Sequence, residues 1–138
     1  KQSERVSSVK IKLNVIEEVV KGKRIVMVDD SIVRGTTSAN IIKMLKKAGA
    51  KEVHVRISSP PFLYPCYFGT DVPSNEQLIA HSHTTEQIRE MIGADSLGYM
   101  EIDKFKDMVG NLSHCDACFT GKNPVKVPGK DVSLAFEY

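Results

Sequence analysis

Two adjacent carboxylates, Asp29 and Asp30, close an apolar run, and a short polar loop follows: Ser31-Ile32-Val33-Arg34-Gly35-Thr36-Thr37-Ser38. Neighbouring carboxylates accept hydrogen bonds from a vicinal diol, or hold a hydrated magnesium ion, which takes oxygen ligands and few protein contacts. Gly35 permits a tight turn or a close approach of backbone to ligand. Thr36, Thr37 and Ser38 bring hydroxyls and backbone N–H groups to the start of a helix, where anions bind. In that order these residues make a site for a phosphorylated sugar, with Ser31 and Arg34 lining the same loop. The competing reading is a plain strand-to-helix loop with Asp29 and Asp30 as turn formers, which needs two acids, a glycine and three hydroxyl residues to coincide by accident. No GxxxxGKS/T motif is present, so a phosphate-loop nucleotidase matches less well.

The elements that must hold this loop are legible as periodicities. Ile25 to Val28 is a continuous apolar run bounded by Arg24 and Asp29, which predicts a strand covered on both faces in a parallel sheet. The acids then stand at its carboxyl end, the edge where open α/β sheets bind ligands. Ala39 to Ala48 reads as a helix with Ile41, Ile42, Met44 and Leu45 at helical spacing, capped by a Thr or Ser hydroxyl and ended by Gly49. Lys51 to Ser58 reads as a second strand with Val53, Val55 and Ile57 on one face, stopped by Pro60 and Pro61. Val9 to Val20, Ser74 to His81, Thr84 to Ile92 and Ile102 to Val109 read as helices, with caps at Ser74 and Thr84. Ser96 to Glu101 reads as a further strand. From Asn111 the chain turns irregular. Strands alternating with helices give an α/β fold with a parallel sheet and flanking helices.

Three cysteines form an odd count. Cys115 and Cys118 make a Cys-x-x-Cys pair that can present two thiolates to one metal or cluster, and Cys66 lies upstream in a proline-flanked loop. A zinc site completed by His114, a thioredoxin-like redox pair and unliganded buried thiols all remain open at this level. His81 and His83 suit loop or capping roles, His54 a satisfied sheet position, and Lys46, Lys47 and Lys51 a solvated face.

At 138 residues, 41% apolar and 26% charged, the chain can bury a core as a single soluble domain. No apolar run approaches the roughly 20 residues of a bilayer span, and nothing at the start resembles an export signal, so a cytoplasmic location with no membrane partner is expected. A net charge of +2 with interspersed signs argues against nucleic acid as a partner.

The run Val26-Met27-Val28-Asp29-Asp30-Ser31-Ile32-Val33-Arg34-Gly35-Thr36-Thr37 resembles the phosphoribosyl pyrophosphate motif of the type I phosphoribosyltransferases, in the form carried by the glutamine phosphoribosylpyrophosphate amidotransferases. The resemblance continues through Glu52 to Val55, Ile57 to Pro61, Pro65 to Asp71, Glu76 to Ala80, Ile92 to Leu97 and Cys115 to Gly121. It implies that residues 1–110 are the C-terminal part of the phosphoribosyltransferase domain and 111–138 a cysteine-containing tail. The glutaminase domain, with its N-terminal cysteine nucleophile, would then lie outside this chain. By the same resemblance, Asp29 and Asp30 hold the ribose hydroxyls or magnesium, and Gly35, Thr36, Thr37 and Ser38 cradle the 5′-phosphate. No residue is assigned as a nucleophile. Cys66, Cys115 and Cys118 correspond to three of the four ligands of a structural 4Fe-4S cluster in one branch of the family, the fourth lying outside this chain. Gln2, Arg5, Lys10 and Lys12 resemble the end of a loop that closes over pyrophosphate. Implied partners are phosphoribosyl pyrophosphate, purine nucleotides as feedback inhibitors and, for the full-length enzyme, further copies of itself. The implied reaction forms 5-phosphoribosylamine, with weak substrate binding and no glutamine-dependent turnover expected of this chain alone. A nucleobase phosphoribosyltransferase and a non-catalytic nucleotide sensor are the alternatives.

Overall fold

A computed structural model describes residues 14–69, 72 and 74–127. The elements in chain order are α1 (Glu17–Val20), β1 (Arg24–Asp29), α2 (Thr36–Lys47), β2 (Glu52–Ile57), a 3-10 turn (Asn75–Gln77), α3 (Ile79–Ser82), α4 (Thr85–Ile92), β3 (Ser96–Tyr99), α5 (Ile102–Val109) and α6 (Ala117–Thr120). The three strands form one parallel sheet in the order β1-β2-β3. Its register pairs Ile25 with Val53, Met27 with Val55, and Asp29 with Ile57, which in turn faces Tyr99. The α/β architecture expected from the alternating patterns is therefore present.

The core lies on one face of this sheet. Val53, Val55 and Ile57 point inward at 0, 0 and 4% exposure and meet Ile42 of α2 with Ile88 and Ile92 of α4. Asp95 fastens the sheet to the helices: its Oδ2 accepts the Val53 N–H at 2.7 Å and faces Lys46 Nζ at 3.2 Å. Those two partners, the amide first, hold its carboxyl below the usual range. On the other face His54 is satisfied by Glu52 at 2.9 Å and Ser96 at 2.8 Å, as its strand position suggested.

Cover on both faces of β1 is corrected by the structure. Val26 and Val28 are 64% and 71% exposed, whereas Ile25 and Met27 are half-buried. The strand order advances in one direction, and right-handed crossovers then put the connecting helices on a single side. Among the described residues β1 is consequently an edge strand with one bare face.

Three boundaries also differ from expectation. Helix α2 begins at Thr36 rather than Ala39, and its N-cap is Gly35 at φ 78° with no side-chain cap, so the hydroxyls are not spent on capping. Ser74 likewise makes no side-chain cap, and the expected single helix divides into the 3-10 turn and α3. Of the helix read over Val9 to Val20, residues 9–13 lie outside the described residues, 14–16 are not helical, and only Val20 of α1 is buried. The Thr84–Gln87 capping box and α5 over Ile102 to Val109 match their sequence signals.

Candidate functional site

Asp29 ends β1 and α2 starts at Thr36, so the connecting loop crosses the carboxyl edge of the sheet. A cavity of about 400 Å³ opens there, lined by every residue from Asp29 to Ser38. It thus brings together Asp29, Asp30, Ser31, Arg34, Gly35, Thr36, Thr37 and Ser38, all of the sugar-phosphate residues proposed from sequence.

The two acids are held through their backbone neighbours. Asp29 Oδ1 accepts the Asp30 N–H at 3.0 Å, and Asp30 Oδ1 accepts the Ser31 N–H at 2.7 Å and its hydroxyl at 3.4 Å. Among the described residues no donor beyond these amides and the Ser31 hydroxyl is seen on either acid, and the two side chains interact with each other, so the pair presents acceptor oxygens to ligand hydroxyls or a hard cation. Ser58 donates its N–H at 3.0 Å and its hydroxyl at 3.3 Å to the Asp29 carbonyl, locking the ends of β1 and β2 together. Partial burial raises the Asp29 carboxyl above the usual range, the Asp30 N–H opposes this, and the Asp30 carboxylate adds to it. A carboxylate raised in this way gains most from a cation or hydroxyl donors arriving beside it.

The anion-facing half follows from Gly35. Its left-handed backbone turns the chain directly into α2, whose first carbonyl bond runs from Ala39 N–H to Gly35 O at 2.9 Å. The amides of the first turn point out of the helix without intrahelical acceptors, and the positive end of the helix dipole adds to their pull on an anion. Thr36 and Thr37 are exposed there, while Ser38 is 3% exposed and meets the cavity with little surface.

A second segment, absent from the sequence-level site, supports this loop. Ile79 N–H donates to Val33 O at 2.9 Å, the Arg34 guanidinium donates to Gln77 Oε1, and Ile79 packs beneath Gly35. The separation of 43 residues between Arg34 and Gln77 hides this from any local pattern.

The cysteines form the other chemical feature. Burial pushes the Cys118 thiol up to about 11, and Cys66 and Cys115 add to the shift. Cys118 O accepts the N–H groups of Leu63 at 2.9 Å and Tyr64 at 3.0 Å, and Gly69 N–H approaches Cys66 Sγ at 3.4 Å. Phe119 packs edge-on to Phe62 and Phe105, with centroids 5.1 and 5.5 Å away, which pins the Cys-x-x-Cys turn to the body. His114 directs Nδ1 to Leu112 O at 2.9 Å, and among the described residues no three His, Cys, Asp or Glu side chains stand close enough to hold a single ion. The Cys₃His zinc set is thus not assembled there. His81 and His83 bond the carbonyls of Leu63 and Ile79, the loop roles expected of them.

No family model matches the chain. Over 134 residues it is 54% identical to an amidophosphoribosyltransferase of Archaeoglobus fulgidus, covering 94% of this chain and 29% of that protein. The chain is a homologue of the amidophosphoribosyltransferases. It is 50% identical over 132 residues to the amidophosphoribosyltransferase of Bacillus subtilis, with 91% of this chain and 28% of the relative covered. Among solved structures it is similar to glutamine phosphoribosylpyrophosphate amidotransferase from B. subtilis complexed with ADP and GMP, with TM-score 0.78, 47% identity, and coverage of 94% of this chain and 30% of that one. A structure described as the allosteric regulatory enzyme of purine biosynthesis gives TM-score 0.81 at 48% identity, covering 96% and 30%. The chain therefore spans under a third of the amidophosphoribosyltransferases it matches.

Proposed function

We propose that this chain supplies the ribose-phosphate site of an amidophosphoribosyltransferase, which forms 5-phosphoribosylamine from phosphoribosyl pyrophosphate and glutamine-derived ammonia in the first committed step of purine synthesis. The observation that carries the reading is the single cavity lined from Asp29 to Ser38, on a chain homologous to those enzymes. In the reaction the ammonia nitrogen bonds to the anomeric carbon, the bond from that carbon to pyrophosphate breaks, and the new ammonium group loses a proton. The carboxylates of Asp29 and Asp30 accept the ribose 2′- and 3′-hydroxyls and stabilise positive charge growing on the sugar; the amides of Gly35 to Ser38 bind the 5′-phosphate. A magnesium ion fits the oxygen-only donors of Asp29 and Asp30, and would supply charge neutralisation for the leaving pyrophosphate. Ammonia would come from a glutaminase domain outside this chain. Gln2, Arg5, Lys10 and Lys12, which resemble a pyrophosphate-facing segment, lie outside the described residues.

We further propose that Cys66, Cys115 and Cys118 are three thiolate ligands of a 4Fe-4S cluster whose fourth ligand lies outside the chain. The Leu63 and Tyr64 amides on Cys118 O bring the start of the Cys66 loop against the Cys-x-x-Cys turn, which supports this, and since each thiolate of such a cluster binds a different iron the set need not close on one ion. Bound there, the cluster would serve as a structural staple between the Cys66 loop and α6. Iron and acid-labile sulfide in about equal amounts are expected from anaerobically purified full-length protein; zinc without iron would overturn the assignment. Purine nucleotides as inhibitors fit the ADP and GMP bound by the B. subtilis relative. No described helix is long and apolar enough to cross a membrane; a cytoplasmic location and assembly into a homo-oligomer complete the proposal.

The deciding experiment follows phosphoribosyl pyrophosphate by phosphorus NMR with the full-length protein. Pyrophosphate release on adding ammonia or glutamine, and none on adding purine or pyrimidine bases, is expected. Release only with a base would convert the reading to a nucleobase transferase, and binding without turnover would convert it to a sensor.

A further inference from the structure

The phosphate loop is gripped from outside at three consecutive positions. Val33 O takes the Ile79 N–H at 2.9 Å, Arg34 is held by Gln77 Oε1, and Gly35 rests on Ile79, whose Cδ1 would stand 3.1 Å from a Cβ at that glycine. The gripping residues belong to the 3-10 turn Asn75–Gln77 and to the first residue of α3. Leu78 between them is 1% exposed and Ile79 8%, so the segment is anchored in apolar packing rather than lying on the surface. Arg34 is exposed and lines the cavity. A long exposed arginine samples many rotamers, and ordering it costs about 2 kcal/mol of side-chain entropy unless a partner fixes it. A neutral amide acceptor fixes the guanidinium without cancelling its charge, whereas a carboxylate there would fix it and offset part of the charge.

From this we infer that Gln77 is a positioning residue of the ribose-phosphate site: it restrains the side chain of Arg34, which lines the same cavity as Gly35 to Ser38. The inference rests on the proposed ribose-phosphate reading. Gln77 touches no substrate itself and acts through Arg34.

Nitrogen-15 NMR of the 138-residue chain gives a readout independent of any ligand. The Arg34 Nε–H and Nη–H signals exchange slowly with water in the parent chain and rapidly in Gln77→Ala, while Gln77→Glu, which keeps the acceptor, retains the protection. Ribose 5-phosphate, titrated into the full-length protein and its variants, is the binding probe. Gln77→Ala weakens it about tenfold, the scale of one hydrogen bond to a charged group. Gln77→Glu binds more tightly than Gln77→Ala, and neither variant alters affinity for unphosphorylated ribose. Unchanged Arg34 exchange in Gln77→Ala overturns the inference, as does equal weakening by Ala and Glu. Failure of the full-length protein to bind ribose 5-phosphate, with Arg34 exchange still responding to Gln77, instead sinks the ribose-phosphate reading and leaves the Gln77–Arg34 contact standing as scaffold only, which also overturns the positioning role.

Discussion

Changing Asp29 and Asp30 together to asparagine weakens binding of magnesium phosphoribosyl pyrophosphate by on the order of a hundredfold, with no matching loss of fold stability. Each charged hydrogen bond is worth about 1.5–3 kcal/mol, and adjacent members of one network fall short of additivity, which sets the combined loss near 3 kcal/mol. The Asp30 and Ser31 amides each take one oxygen of an acid, and the pair still presents acceptor oxygens to ligand. Stability moves differently because the Asp29 carboxyl is raised, mainly by burial. A group whose folded value lies above its unfolded value binds its proton more tightly in the fold, so its share of stability rises as pH falls through that value and is a cost at neutral pH. Asp29→Asn removes that cost. The single variant should therefore melt at or above the parent temperature at pH 7 while binding poorly. Calorimetric titration and thermal melting on the same samples check both halves; a variant that binds normally, or loses binding only because it unfolds, contradicts the account.

Gly35→Ala should be strongly destabilising. Gly35 holds φ 78°, and a non-glycine residue there costs about 1–2 kcal/mol. Its added Cβ would stand 3.1 Å from Ile79 Cδ1 and 3.4 Å from Ile92 Cγ2. Both isoleucines are buried, at 8% and 3% exposure, so they have little room to yield, and overpacking of this kind adds about 1–3 kcal/mol. A loss of about 2–5 kcal/mol is a large share of the 5–15 kcal/mol typical of a domain. Urea unfolding should show a lower midpoint for Gly35→Ala at unchanged slope. Gly22, which has nothing within 4 Å of an added Cβ but a similar φ of 71°, isolates the backbone contribution: Gly22→Ala should lose only the smaller amount. Equal midpoints for the two variants would mean that Gly35 is not pressed against Ile79.

The site was readable in the sequence because its residues are contiguous. Asp29 to Ser38 form one loop between a strand and a helix, and residue type plus the strand's carboxyl end suffice to put them in one cavity. The helix cap was misjudged because a left-handed glycine and a serine or threonine cap end at similar positions but leave the hydroxyls in different roles. Glu76 to Ala80 carries part of the family resemblance, but the contacts of Gln77 and Ile79 with Arg34 and Val33 span more than 40 residues and no local pattern points to them. In the fold, β2 announced itself through Val53, Val55 and Ile57, because alternation reports a face that is covered. The run Ile25 to Val28 carries no alternation, so it could not tell that among the described residues only Ile25 and Met27 face the core.

The central claim is that the loop after β1 grips a phosphorylated sugar. Its most direct test is a nitrogen-15 amide titration of the chain with magnesium phosphoribosyl pyrophosphate. The account predicts saturable shifts at Gly35, Thr36, Thr37 and Ser38, together with Asp30 and Ser31, and none of comparable size with ribose lacking phosphate. Shifts confined to other residues, or identical shifts with the unphosphorylated sugar, would contradict it.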